Sequence, residues 1–168
     1  FRRELFVFKR ALLAAFAFAV CVVAVQVGPT QAAASYSEAT AVKQFAARQI
    51  NKPFRLGANG MTKFDCSGLV YRTYLENGLL RRVGGNQRAA GYYRWFRDRG
   101  LLTNNPKSGD LVVWGRRGHP VEHIGIFVGY NKNGSPMAIS ALTTGVARHR
   151  VNGISMPVRA YLSVNLNR

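Results

Sequence analysis

Carboxylates are scarce in this chain. Seven Asp and Glu stand against 24 Lys and Arg in 168 residues, a formal charge of +17. Cysteine is scarcer still, with two residues. A disulfide-dense scaffold and a four-cysteine zinc site are both excluded. The three histidines, His119, His123 and His149, lack the spacing that would complete a zinc site with so few thiols. No glycine-rich phosphate loop occurs, so the usual nucleotide cradles are absent. There is no internal repeat and no low-complexity linker. The residues therefore call for no metal and no cofactor. What remains is ordinary for a folded core: 48% of residues are apolar and 18% charged, too apolar for a disordered polymer. The length fits one domain, with or without a tail.

Residues 1–34 read as a leader. Arg2, Arg3, Lys9 and Arg10 open it, and Ala11 to Val27 then runs apolar with only Gln26 interrupting. Gly28 and Pro29 break the run, and Ala32, Ala33 and Ala34 supply small residues. Positive, apolar, small is the order of a secretory signal peptide, with cleavage expected before Ser35. A retained anchor is the competing reading, at the short limit of what spans a bilayer. Cys21 lies mid-way through the apolar run and belongs to it. Removing four basic residues and Glu4 leaves a charge of +14 on residues 35–168, with Cys66 as their lone thiol. A lone thiol in an exported domain is buried and inert, paired between chains, or chemically employed.

The remainder divides into helices first and strands last. Ser35 or Ser37 can cap a helix with Glu38 in its first turn and Ala39, Val42, Phe45 and Ala46 on one face. Asp65 to Glu76 reads as a second helix, stopped by Asn77-Gly78, and Asn86 to Arg99 as a third, stopped by Gly100. Strands are expected over 111–114, 124–130, 137–142, 146–151 and 158–164, with Asn131 to Gly134 as a hairpin turn. The expected fold class is α+β, helices packed on a curved antiparallel sheet.

Cys66 falls at the start of the second predicted helix. Unpaired N–H groups and the positive end of the helix dipole converge there and favour thiolate over thiol. A free thiol near pKa ~8.5 can fall to roughly 3.5–7.5 in such a place. The same N–H groups can hold a developing oxyanion. Gly68 is expected to keep the turn open for a substrate backbone. The competing reading of Cys66 is a small buried hydrophobe. For a base, His119 lies in a Gly-Arg-Arg-Gly-His-Pro loop that reads as surface. His123 begins an apolar strand, with Gly125 two places on to permit close approach. A thiolate on a helix and an imidazole on a sheet form the pair used in thiol hydrolysis.

These residues carry a resemblance. Phe64-Asp65-Cys66-Ser67-Gly68-Leu69-Val70 resembles the nucleophile motif of the NlpC family of papain-like cell-wall cysteine peptidases. Gly109 to Trp114, a loop, and His123 to Gly129 resemble that family's histidine block, and Lys52 to Gly57 the segment ahead of the nucleophile. The likeness covers about residues 40–165. It implies a papain-like fold with the catalytic cysteine at a helix N-terminus. It implies a secreted, wall-associated bacterial enzyme of residues 35–168 that cuts peptidoglycan stem peptides, often between D-γ-glutamyl and a diamino acid. Cys66 is then the nucleophile and His123 the base. Backbone N–H groups of Cys66 and Ser67 supply the oxyanion hole. Asp65, Ser67 and Phe54 flank the substrate, although Asp65 and Ser67 also suit a helix cap and a first turn.

Two positions depart from the family. Where the family usually carries a polar orienting residue, often His, this chain has Ser140, and His149 on the next strand is its rival. Phe54 stands where relatives commonly place a tyrosine. Neither change removes thiol or base, so activity is expected, with altered strength or preference. The alternatives are an amidase on the same scaffold and a silent wall-binding module. The charge suggests anionic partners: peptidoglycan carboxylates and anionic wall polymers. Arg81, Arg82, Arg94, Arg97, Arg99, Arg116 and Arg117 form the main clusters, and Tyr92, Tyr93 and Phe96 read as packing. Export argues against nucleic acid, and a membrane is expected only through an uncleaved leader. A monomer is expected.

Overall fold

The computed structural model describes residues 37–168; the leader expected over residues 1–34 lies outside the described residues. Helix α1 spans Glu38–Ala47, and the Oγ of Ser37, in extended conformation, accepts the Thr40 N–H at 3.2 Å. That hydroxyl satisfies one of the four donors a helix start leaves unpaired. Ala39, Val42, Phe45 and Ala46 are buried, the i, i+3, i+4, i+7 stripe of a one-sided helix. Helix α2 runs Cys66–Glu76 and buries Leu69, Val70, Thr73 and Tyr74. Helix α3, Ala89–Arg97, is shorter at both ends than the predicted 86–99. Its first turn is lost because Arg88 stays extended, while the Gln87 amide donates to the Gly84 carbonyl at 2.9 Å. Leu80–Val83 forms a 3-10 turn that the apolar spacing did not mark. Gly84, at φ 81°, ends it in a conformation that favours glycine.

Six strands form one antiparallel sheet: β1 Leu102–Thr103, β2 Leu111–Trp114, β3 His123–Tyr130, β4 Pro136–Leu142, β5 Gly145–Arg150 and β6 Val158–Leu162. The spatial order is β1-β6-β2-β3-β4-β5. Five of these strands were expected. The two-residue β1 carries no alternation of its own and exists by pairing with β6.

The sheet is covered on both faces, which explains the unbroken apolar run of β2, where all four residues are buried. Leu111, Val113, Ile124, Ile126 and Ile139 pack against Leu69, Tyr74, Tyr92 and Phe96 of the helices. Val112, Trp114, Phe127 and Ala138 point the other way, toward Val151, Ile154 and Met156. Odd and even positions along a strand divide between the two cores. The Asp110 carboxylate fastens the far end of the sheet. It accepts the N–H groups of Lys107 and Val164 at 2.8 and 3.0 Å and the Arg168 guanidinium at 2.9 Å. No helix among the described residues is long and apolar enough to cross a membrane.

Candidate active site

The start of α2 is built from its capping residue outward. Asp65 accepts the Gly68 N–H at 2.6 Å and the Ser67 hydroxyl at 2.9 Å through Oδ1, and the Gly57 N–H at 2.8 Å through Oδ2. Its own N–H donates to the Ala58 carbonyl at 2.8 Å. The 57–58 loop is thus bonded to the helix tip on both sides of Asp65. Gly68 explains why they sit so close. A Cβ there would lie 2.0 Å from the Ala58 oxygen and 2.9 Å from the Asn59 Cα. The space Gly68 was expected to leave for substrate is filled by the protein's own loop.

Cys66, the first residue of α2, is half-buried and free of any disulfide. The N–H groups of Ile124, Ser67 and Cys66 itself aim at the sulfur and pull its pKa down, but burial, with the nearby Asp65 carboxylate, outweighs them and pushes the thiol up. The expectation of a helix-stabilised resting thiolate is therefore corrected. Desolvation penalises the charged form by more than three N–H groups return.

His123 opens β3 and is 6% exposed. Burial, reinforced by the neighbouring His149, lowers its pKa to about 4. At neutral pH the resting pair is a thiol and an uncharged imidazole. Both side chains line one groove of about 810 Å³, together with Phe54, Asp65, Ser67 and Arg88. Leu142 to Thr144 and Ile154 to Met156 also line it. His119 is exposed, as its loop suggested.

The structure joins the two rivals for the orienting position. Ser140, fully buried on β4, has its Oγ 2.9 Å from His123 Nε2 and 2.8 Å from His149 Nε2. The Trp114 ring lies beside both imidazoles, its centroid 5.2 Å from that of His123 and 5.8 Å from that of His149. Gly125 earns its place here. A Cβ would meet the Ser140 Cβ at 2.9 Å, the Ile139 oxygen at 3.0 Å and Trp114 Cη2 at 3.3 Å. Trp114 is the residue that sequence reasoning missed. Its signal was its position at the end of β2, paired with His123 across the ladder.

The arrangement offers a thiol, a proton acceptor and backbone donors in one open groove, the parts of a nucleophilic hydrolase. The NlpC/P60 family model matches residues 51–160. The chain is similar to the murein DD-endopeptidase MepH of Escherichia coli (strain K12), 36% identical over 88 residues, 51% of this chain and 31% of that protein. It is similar to the probable endopeptidase p60 of Listeria innocua, 32% identical over 109 residues, 64% of this chain and 21% of that protein. The match thus spans about a third or less of these relatives' length. The solved structure of NlpC1 from Trichomonas vaginalis shares the fold, with a TM-score of 0.62 and 18% identity, covering 79% of this chain and 45% of that one.

Proposed function

The chain belongs to the NlpC/P60 family, and on that premise we propose that it is an exported peptidoglycan endopeptidase of the cysteine type. The observation that carries the reading is the shared groove, lined by both Cys66 and His123, with the Ile124 N–H reaching the sulfur. In this reading a stem-peptide carbonyl settles over the thiol. The Cys66 proton passes to His123 as sulfur bonds to the carbonyl carbon. The N–H groups of Cys66 and Ser67 receive the oxyanion. The C–N bond then breaks, and His123 returns the proton to the leaving amine. Water, deprotonated by His123, releases the acyl group and restores the thiol.

Because both groups rest uncharged, the proton moves only as the bond forms. A substrate that fills the groove removes water and need not displace a solvated ion pair. Asp65, Ser67 and Phe54 form the wall nearest the nucleophile. Asp65 and Ser67 are committed to each other and to the backbone, so they shape that wall more than they reach for ligand. Ser140 orients the imidazole.

The bond we favour joins D-γ-glutamyl to a diamino acid. The Escherichia coli relative, a murein DD-endopeptidase, supports a second reading, a cut between two D-centres. The net charge favours retention on anionic wall polymers. Part of that charge is fixed by stacking: Arg99 lies over Trp95 at 4.2 Å, and Arg97 and Arg159 both approach Tyr93. The test is digestion of purified peptidoglycan, with released fragments identified by mass spectrometry. New amino termini on the diamino acid support the first bond, and termini on a D-residue the second. Freed muramyl groups point to an amidase. Cys66→Ala is expected to abolish release and spare wall binding; unchanged release overturns the thiol mechanism.

A further inference from the structure

A buried serine is an ambiguous orienter. Its hydroxyl has one proton and two lone pairs, so it can donate to an imidazole nitrogen or accept from it. If Ser140 donated to His123 Nε2, the His123 proton would sit on Nδ1, the nitrogen left for the thiol. The base would then be the wrong tautomer. Something beyond Ser140 must set the direction.

The hydrogen bonds beyond it do so. His149 Nδ1 lies 2.9 Å from the carbonyl oxygen of Arg150. A carbonyl oxygen only accepts, so His149 Nδ1 carries a proton and donates it. In the uncharged ring Nε2 is then bare and only accepts. The Ser140 hydroxyl, 2.8 Å away, gives its single proton to that nitrogen. Its lone pairs face His123 Nε2 at 2.9 Å, which must therefore be the N–H donor. His123 Nδ1 is left unprotonated. Each step follows from the one before, and the series starts at a backbone atom whose role cannot reverse.

The surroundings support a preserved direction. Ser140 is fully buried, so water does not compete for its hydroxyl. Trp114 lies against both rings, and its own N–H is held by the Val151 carbonyl at 2.9 Å. On the sheet, Ser140 pairs with Ala147 and His149 with Ala138, so the two side chains meet on the diagonal of one face.

We propose that His149 is a positioning residue which, through Ser140, holds His123 in the tautomer whose Nδ1 can take the Cys66 proton. The inference rests on the reading of Cys66 and His123 as nucleophile and base, and deepens it. Ser140 and His149 are serial members of one chain, not rivals for one position.

The direct test is the tautomer of His123, read by long-range proton–nitrogen NMR on the 15N-labelled full chain. The parent is expected to hold the Nε2–H form, and His149→Ala and Ser140→Ala to give a mixture with Nδ1–H. His149→Gln, whose side-chain oxygen can accept from Ser140, is expected to restore the Nε2–H form. In wall digestion His149→Ala is expected to lower kcat by about tenfold or more with KM little changed. The double variant Ser140→Ala with His149→Ala is expected to be no worse than Ser140→Ala alone, since serial members lose one function together. A His123 that stays Nε2–H in His149→Ala overturns the proposal, as does a double variant whose losses multiply. If Cys66→Ala keeps full activity, the mechanism fails while the tautomer result stands by itself, so the two failures are separable.

Discussion

Replacing Gly68 by alanine sets two effects against each other at the tip of α2. Alanine is the better helix former by about 1 kcal/mol, and that gain alone would stabilise the protein. Against it stands a Cβ placed 2.0 Å from the Ala58 oxygen and 2.8 Å from its carbon, where ordinary contact begins at 3.4 Å. The Ala58 carbonyl must retreat by about 1.4 Å, and it is backbone, not a flexible tip. That retreat breaks the Asp65 N–H to Ala58 bond and strains the bond from the Gly57 N–H to the Asp65 carboxylate. Overpacking costs about 1 to 3 kcal/mol, the neutral hydrogen bond about 1 and the charge-assisted one about 2. The clash wins, and Gly68→Ala is expected to destabilise by about 2 to 5 kcal/mol. The assay is urea unfolding, read as a lowered midpoint at unchanged slope. Gly60→Ala is the comparator. Nothing lies within 4 Å of its Cβ position, so its effect is expected to stay within about 0.5 kcal/mol. A Gly68→Ala protein as stable as the parent would refute the reasoning that the loop and the helix tip are locked together.

Acid stability follows from His123. Its ordinary pKa of 6.5 falls to about 4 in the fold, so between those values the unfolded chain binds the proton first. Stability is expected to fall as pH drops from 6.5 to 4, by about 3 kcal/mol in all. Urea unfolding at pH 7.5 and 4.5 checks it, and the same slope in His123→Gln would sink the assignment. Gly125→Ala is expected to cost about 1 to 3 kcal/mol by pressing on Ser140 and Trp114. It is also expected to lower kcat more than it raises KM, which steady-state digestion of walls can separate. Retention on purified walls is expected to weaken between low and high salt, because exposed charge is screened. Equal retention at both would remove the electrostatic part.

The elements that bury a single stripe are legible in the sequence. Ala39, Val42 and Phe45, or Leu69, Val70 and Tyr74, repeat at the helical period because only one side of each helix meets the sheet. The 3-10 turn and β1 were not, because neither repeats long enough to leave a period. The start of α3 was misplaced because Gln87 bonds back to the preceding turn, a tertiary choice that spacing does not encode. Cys66 and His123 were marked by their positions at a helix start and a strand start. The ionic state of the pair was not legible. It depends on how deeply the fold buries two groups 57 positions apart in the chain, and burial reverses the effect of the helix dipole. Ser140 and His149 looked like competitors because a linear chain cannot say that two strands place them on one diagonal.

The sixth strand to be synthesised is not at a margin of the sheet. It fills the gap between β1 and β2 and pairs with both. Without Val158–Leu162, β2 is an open border and the cluster of Val112 and Trp114 lacks Val158 and Tyr161; Trp114 is the wall against which both imidazoles rest. Assembly therefore waits on a long-range partner, which slows folding. Under the proposed function this is a safeguard: a nascent or clipped chain without β6 lacks the buttress of the proposed thiol–imidazole centre.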